Sequence, residues 1–258
     1  MADCLKLSVW SGPRNVSTAL MYAFRQRPDT LVVDEPLYGH YLEVTRADHP
    51  GDDEVLAAMD TDGERVVREV LLRRCGRPVH FFKNMAHHLT GLDRGFLGEI
   101  SNVLLTRDPA EMLPSLARQL PDPTLRDTGL LQQAEILDHV LRRGVDPVVL
   151  DAKQLLLDPP GVLQKACDRL GIPFYEPMLR WPPGPKPEDG VWAKHWYANV
   201  HASTGFSAYK PKTDAFPERL FPLLEECRPL YERLGRYAIP AEAGGWPEAD
   251  EDHPPLRA

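Results

Sequence analysis

A chain of 258 residues with 43% hydrophobic and 26% charged residues suits one large domain better than two small ones. Its net charge of −8 gives no broad cationic surface for nucleic acid, and no apolar run approaches the roughly 20 residues that span a bilayer. Neither a nucleic-acid nor a membrane partner is expected.

The first residues, MADCLKLSVW, run directly into a strand pattern with no charged leader or cleavage site, so no signal peptide is expected. Five short apolar runs follow in order: Leu5–Trp10, Leu31–Asp34, Val79–Lys83, Val103–Thr106 and Val148–Asp151. They are continuous rather than alternating, as strands buried on both faces of a parallel sheet are. Helical patterns lie between them. Thr18–Arg27 places Leu20 and Phe24 one turn apart, and Arg65–Arg74 carries Val66, Val67, Val70 and Leu71. Pro109–Gln119 opens with Asp108 as N-cap and Pro109 at the first helical position. Leu130–Arg143 aligns Leu130, Ala134, Leu137 and Leu141, and Pro159–Leu170 ends at Gly171 as C-cap. Trp181–Gly190 (WPPGPKPEDG) fits neither helix nor central strand, and a last helix is expected over Phe216–Leu234. The alternation predicts an α/β fold, three-layered, with a central mostly parallel five-stranded sheet flanked by helices and right-handed crossovers. The domain is expected over residues 1–240, followed by a mobile acidic tail rich in Pro and Gly over 241–258. Cys4, Cys75, Cys167 and Cys227 are far apart and not at metal-ligand spacing. They are expected to be reduced thiols of a cytoplasmic protein, with no metal site.

The strongest functional signal is the loop between the first strand and first helix, Ser11-Gly12-Pro13-Arg14-Asn15-Val16-Ser17-Thr18. Ligands of parallel α/β sheets collect beyond the carboxyl ends of strands. Gly12 allows a tight turn, the helix start presents unpaired amides, and Arg14 adds a fork of donors matched to phosphate or sulfate. The plainer alternative is that Ser17 and Thr18 cap the helix and Arg14 is a solvated loop residue. The nucleoside-triphosphatase pattern G-x-x-x-x-G-K-[ST] is not met, because the second glycine and the lysine are missing.

This loop resembles the phosphate loop of the sulfotransferase superfamily, which uses 3′-phosphoadenosine 5′-phosphosulfate as sulfuryl donor. Its Ser-Gly-x-Arg with a following Ser/Thr pair is closest to the carbohydrate-type and bacterial branches. Asn102–Pro109 (NVLLTRDP) followed by Ser115 is similar to the family's 3′-phosphate-binding strand and helix, which implies that Arg107 and Ser115 grip that phosphate. Val149–Asp151 and Leu155–Pro159 are similar to a later family motif, with Lys153 and Gln154 replacing its usual acidic pair. The resemblance covers about residues 5–235. It implies a P-loop-like fold, Ser11, Gly12, Arg14, Asn15, Val16, Ser17 and Thr18 as the donor loop, and no metal.

Sulfuryl transfer, like phosphoryl transfer, leaves the protein to position the donor, stabilise charge on the leaving phosphate and remove the acceptor's proton. Arg14 is the candidate for the leaving phosphate. Glu35, after the second strand in Asp34-Glu35-Pro36, is the candidate base, or else a strand-end carboxylate paired with a basic neighbour. Lys83, ending the third strand, is a candidate to assist the transferring oxygens. His87 and His88 are competing bases or acceptor contacts, or else a surface pair at a helix start. Trp192 is a candidate to stack on adenine, and Lys194 or Lys210 to approach a phosphate; the alternative is that the aromatics here fill core. The expected function is transfer of a sulfuryl group to a hydroxyl or amine of a small polar acceptor. The rivals are an ATP-dependent phosphotransferase and a nucleotide-binding module without chemistry.

Overall fold

The computed structural model describes residues 4–74 and 76–242. Five strands, β1 (Leu5–Ser11), β2 (Thr30–Asp34), β3 (Val79–Met85), β4 (Ser101–Thr106) and β5 (Val148–Asp151), form one sheet in the order β2-β3-β1-β4-β5. Every pairing is parallel, and the three-layer α/β expectation is met.

The continuous apolar runs are explained by burial on both faces. Leu7, Val9, Phe81, Val103, Leu105, Val148 and Leu150 belong to one core cluster. Trp10, Phe82, Leu104 and Val149, interleaved with them along the same strands, belong to another. Helix α1 (Ser17–Arg25) and the later Pro159–Leu170 helix pack on the first face; Pro109–Leu116, Leu130–Arg142 and Phe221–Gly235 pack on the second. A third cluster, Tyr38, Tyr41, Leu42, Val55, Trp192, Ala193 and Tyr197, lies outside the sheet. It joins α2 (Tyr38–Thr45) and α3 (Asp52–Ala58) to the short helix α4 (Ala193–Trp196).

Several local expectations are confirmed in detail. Asp108 accepts from Ala110 N at 2.8 Å with Pro109 at the first helical turn, and Gly171 ends its helix at φ 68°. The predicted Arg65–Arg74 helix is instead a turn of α-helix over Gly63–Val66 that widens to a π-helix over Val67–Leu71. The last helix begins at Phe221, because Pro217 is extended and Glu218–Leu220 form a 3-10 turn. Trp181–Gly190 is irregular. It is latched onto α1 by Asp189, which accepts from Tyr22 Oη at 2.7 Å and contacts His201 Nε2 at 2.9 Å. Cys167 and Cys227 are free and buried, but Cys4 is disulfide-bonded; the expectation of reduced thiols is corrected there. The expected acidic tail lies, beyond Glu242, outside the described residues. No helix among the described residues is long and apolar enough to cross a membrane.

Candidate active site

The carboxyl ends of β1, β2, β3 and β4 open onto one cavity of about 420 Å³. Its first wall is the loop after β1. Pro13, Arg14, Asn15, Val16, Ser17 and Thr18 all line the cavity. Asn15 fixes the loop: its Nδ2 donates to Leu105 O at 2.8 Å and its Oδ1 accepts from Val16 N at 2.7 Å. Helix α1 then starts with no side-chain cap, so Ser17 and Thr18 do not act as its N-cap. Its first-turn amides are left for a ligand, and the helix dipole favours an anion there. Ser11 and Gly12 do not line this cavity. Ser11 is fully buried and donates to Gly12 O. Gly12 passes so close to the next segment that an added Cβ would lie 2.7 Å from Thr128 O. These two residues build the turn rather than face a ligand.

Arg14 sits in the left-handed region at φ 53°, and its Nε donates to Ser115 Oγ at 3.1 Å. Arg107 Nη1 donates to Arg14 O at 2.8 Å, so the two expected anion-binding arginines are tied to one another. Glu111 partners Arg107 at 3.1 Å and also accepts from Tyr209 Oη, while its carbonyl accepts from Lys212 Nζ at 2.9 Å. Burial and the nearby Arg107 and Arg118 push the Arg14 guanidinium below its ordinary pKa. Burial and the same arginines push Lys212 down as well. This end of the cavity holds more positive charge than its own carboxylates neutralise. Lys212 lines it; the expected Lys210 is exposed and outside the lining. Lys194 is likewise elsewhere, paired with Glu54 at 2.6 Å on the surface.

The second wall contains a buried charge cluster. Lys83 is 1% exposed, and its ammonium donates to Asp34 Oδ1 at 2.9 Å, to Glu35 Oε1 and to Tyr197 Oη. Tyr197 in turn donates to Asp34 Oδ2 at 2.7 Å and accepts from Trp192 Nε1 at 3.1 Å. Burial opposes the Lys83 charge, but Asp34 and Glu35 outweigh it and hold the ammonium charged. All three of its N–H groups are taken, so the expected contact of Lys83 with transferring oxygens is replaced by a grip on Glu35. Burial raises the Glu35 carboxyl above the ordinary carboxylate range; Lys83 opposes this and Asp34 adds to it. Glu35 is held at φ 41°, with its Oε2 4.0 Å from His88 Nε2.

His87 and His88 are buried, not a surface pair. Burial pushes His87 down to about 3 and His88 well below its ordinary value, so both are neutral. His88 stacks on Tyr38 at a centroid distance of 4.8 Å and an interplanar angle of 3°. Trp192 packs edge-on to Tyr38 and donates to Tyr197 Oη, so the residue expected to stack on adenine braces the Lys83 cluster. Arg14, Glu35, Lys83, His87, His88, Arg107 and Ser115 all reach the one cavity. Sequence reasoning missed Tyr38, His49, Trp196, Tyr197 and Lys212, which line it too. Of these, Trp196 and Tyr197 carried a hint in their closeness to Trp192 in the chain.

The sulfotransferase domain family matches residues 5–235. Two proteins of Arabidopsis thaliana, branched-chain-amino-acid aminotransferase-like proteins 1 and 2, are 42% and 40% identical over 91% and 88% of this chain. The chain spans only 42% and 41% of their lengths, and their name describes the longer proteins. A sulfotransferase from Alicyclobacillus acidocaldarius has a similar fold, with a TM-score of 0.53 at 12% identity over 92% of this chain and 98% of the other. The sulfotransferase domain from the curacin biosynthetic pathway scores 0.51 at 13% identity over 91% and 98%. With an all-parallel sheet and this match over nearly its whole length, the chain belongs to the sulfotransferase domain family.

Proposed function

We propose that the protein transfers a sulfuryl group from 3′-phosphoadenosine 5′-phosphosulfate to the hydroxyl of a small acceptor. The observation that carries this is the division of the cavity into a cationic end, with Arg14, Arg107, Ser115 and Lys212, and a carboxylate end at Glu35. The uncapped start of α1 and Arg14 fit the donor's 5′-phosphosulfate, and Arg107 with Ser115 fits its 3′-phosphate. Arg107 has to exchange its pairing with Glu111 for the phosphate.

In the reaction the acceptor oxygen bonds to sulfur as the bond from sulfur to the bridging phosphate oxygen breaks. The electron pair stays on the phosphate, where Arg14 and the helix amides stabilise it. Glu35 takes the acceptor's proton on Oε2, the oxygen that Lys83 does not hold. Its raised pKa makes it a stronger base than a solvated carboxylate. Lys83 and Tyr197 are positioning residues that fix the rotamer of Glu35, and neutral His88 orients the acceptor.

The phosphotransferase alternative is disfavoured by the strand-end carboxylates that would assist magnesium. Asp34 is taken by Lys83 and Tyr197, and Asp151 accepts from Lys153 N, Gln154 N and Tyr231 Oη. Calorimetric titration decides between the readings: adenosine 3′,5′-bisphosphate binds without metal, and binding of ATP with magnesium alone refutes the proposal. Glu35→Gln is expected to abolish turnover while keeping bisphosphate affinity. Full turnover in that variant, with loss in His87→Ala, reverses the assignment of the base.

A further inference from the structure

The wall around Glu35 is built largely from rings. Tyr38, His49, Met85, His88, Trp192 and Trp196 line it; five of these side chains are rings and the sixth is a thioether. The rings brace one another. Tyr38 lies flat against His88, Trp192 meets Tyr38 at an interplanar angle of 87°, and Trp196 stands against His49 at 66°. Two of their polar groups are committed to neighbours: Tyr38 Oη bonds His49 Nδ1 at 2.9 Å, and Trp192 Nε1 bonds Tyr197.

Charge is committed in the same way. Lys83 is spent on Asp34, Glu35 and Tyr197, and burial keeps His49, His87 and His88 below their ordinary pKa. Among the described residues lining this wall, no unpaired cation is left to meet an anionic acceptor. A polyhydroxyl acceptor needs a partner for each of its hydroxyls, Tyr38 Oη and Trp192 Nε1 are already bonded within the wall, and each hydroxyl left without a partner is costly. A flat ring instead gains stacking and edge contacts from rigid aromatic neighbours. A cavity of about 420 Å³ that also takes a nucleotide leaves room for a small ligand only.

Building on the sulfuryl-transfer reading, we infer that the acceptor is a small, neutral aromatic hydroxyl compound, seated by its ring among Tyr38, Trp192 and Trp196 with its hydroxyl at Glu35. This replaces the polar acceptor expected from the sequence. Glu35, its Oε1 held by Lys83 and its Oε2 4.0 Å from His88 Nε2, meets the one polar group such a ligand carries.

The test uses protein saturated with adenosine 3′,5′-bisphosphate and calorimetric titration with 2-naphthol, cyclohexanol and glucose. 2-Naphthol is expected to bind about tenfold more tightly than cyclohexanol, with glucose weaker than both. Trp196→Ala is expected to weaken 2-naphthol about tenfold and to leave the bisphosphate affinity unchanged, which also shows that the variant folds. Tightest binding by glucose, no preference for the aromatic ring over cyclohexanol, or no binding of any of the three to the loaded protein overturns the inference and leaves the donor reading intact. Failure of the bisphosphate itself to bind refutes the donor reading, and this inference with it.

Discussion

Lys83→Met is the most informative single change, because among the described residues Lys83 is the one cation bonded to both buried carboxylates. Asp34 and Glu35 are 6% and 7% exposed, and the methionine has nearly the same length without the charge. Removing one member of a buried ion pair costs roughly 3–5 kcal/mol, since the partner is left charged and desolvated. Two carboxylates this close cannot both stay ionised, so the folded variant takes up a proton that the unfolded chain does not hold at neutral pH. Folded and unfolded states then differ by one proton over the interval between the raised pKa and about 4.3, the ordinary glutamate value. Where the folded state binds more protons, stability rises as pH falls. The gap between wild type and variant should therefore narrow by up to about 1.4 kcal/mol per pH unit of acidification. Urea denaturation of both proteins from about pH 8 to about pH 5.5 measures it, and histidines titrating in both cancel in the difference. A loss under about 1 kcal/mol, or a gap that ignores pH, would refute the view that Lys83 neutralises this pair.

Arg107→Ala should weaken adenosine 3′,5′-bisphosphate by roughly 1.5–3 kcal/mol, about 10- to 150-fold, and adenosine 5′-phosphate far less; calorimetry with both ligands checks it. Gly12→Ala drives a Cβ to 2.7 Å from Thr128 O, a backbone atom that cannot swing away, and should lower stability by about 1–3 kcal/mol in thermal melts. His80 is buried with both ring nitrogens unpartnered, and burial pushes it down to about 4. The unfolded chain binds its proton near pH 6.5, so stability is full above that value and falls by about 1.4 kcal/mol per pH unit down toward 4. His80→Leu should remove that share of the slope in urea titrations, leaving what His87 and His88 contribute. Arg14→Gly should relieve a left-handed backbone worth roughly 1–2 kcal/mol and melt no lower than wild type, yet lose most of its bisphosphate affinity.

The parallel sheet was legible because its strands are apolar on both faces, and five such runs punctuated by helix caps admit few other folds. Asp108, Pro109 and Gly171 were legible for the same local reason: each satisfies or ends a backbone pattern within a few residues. That the loop after β1 and Arg107 share one cavity was legible because strand ends deliver ligands in a parallel sheet. Helices α2 and α3 were missed. Tyr38–Thr45 is short and nearly apolar on its buried side, and Asp52–Ala58 buries only Val55, so neither shows a full helical stripe. That Lys212 rather than Lys210 reaches the cavity, and that Tyr197 takes one of the hydrogen bonds of Lys83, were not legible. Both depend on how an irregular segment far along the chain folds back: Tyr197 meets Asp34 across 163 positions and Lys212 meets Glu111 across 101. No local periodicity records a contact of that span.

The two residues with unfavourable backbone angles at the cavity, Arg14 at φ 53° and Glu35 at φ 41°, stand on the two sides of the proposed transfer. Non-glycine residues are held there only where the surroundings over-determine them. At Arg14 the surroundings are Ser115 and Arg107, which fix its side chain and its carbonyl. At Glu35 they are Lys83 O, which accepts from its amide at 2.8 Å, and Lys83 Nζ, which holds its carboxylate. A glycine at either place would relax the backbone and remove the group that meets the substrate. The strain is thus tied to where the side chain must point: a cation toward the leaving phosphate, and a carboxylate toward the acceptor. On the proposed reading, negative charge develops at the cationic end while the proton arrives at the end already buried against charge. Neither movement then requires the protein to reorganise. The neutral histidines fit the same division, because a protonated His88 would lower the affinity of Glu35 for the proton it must take.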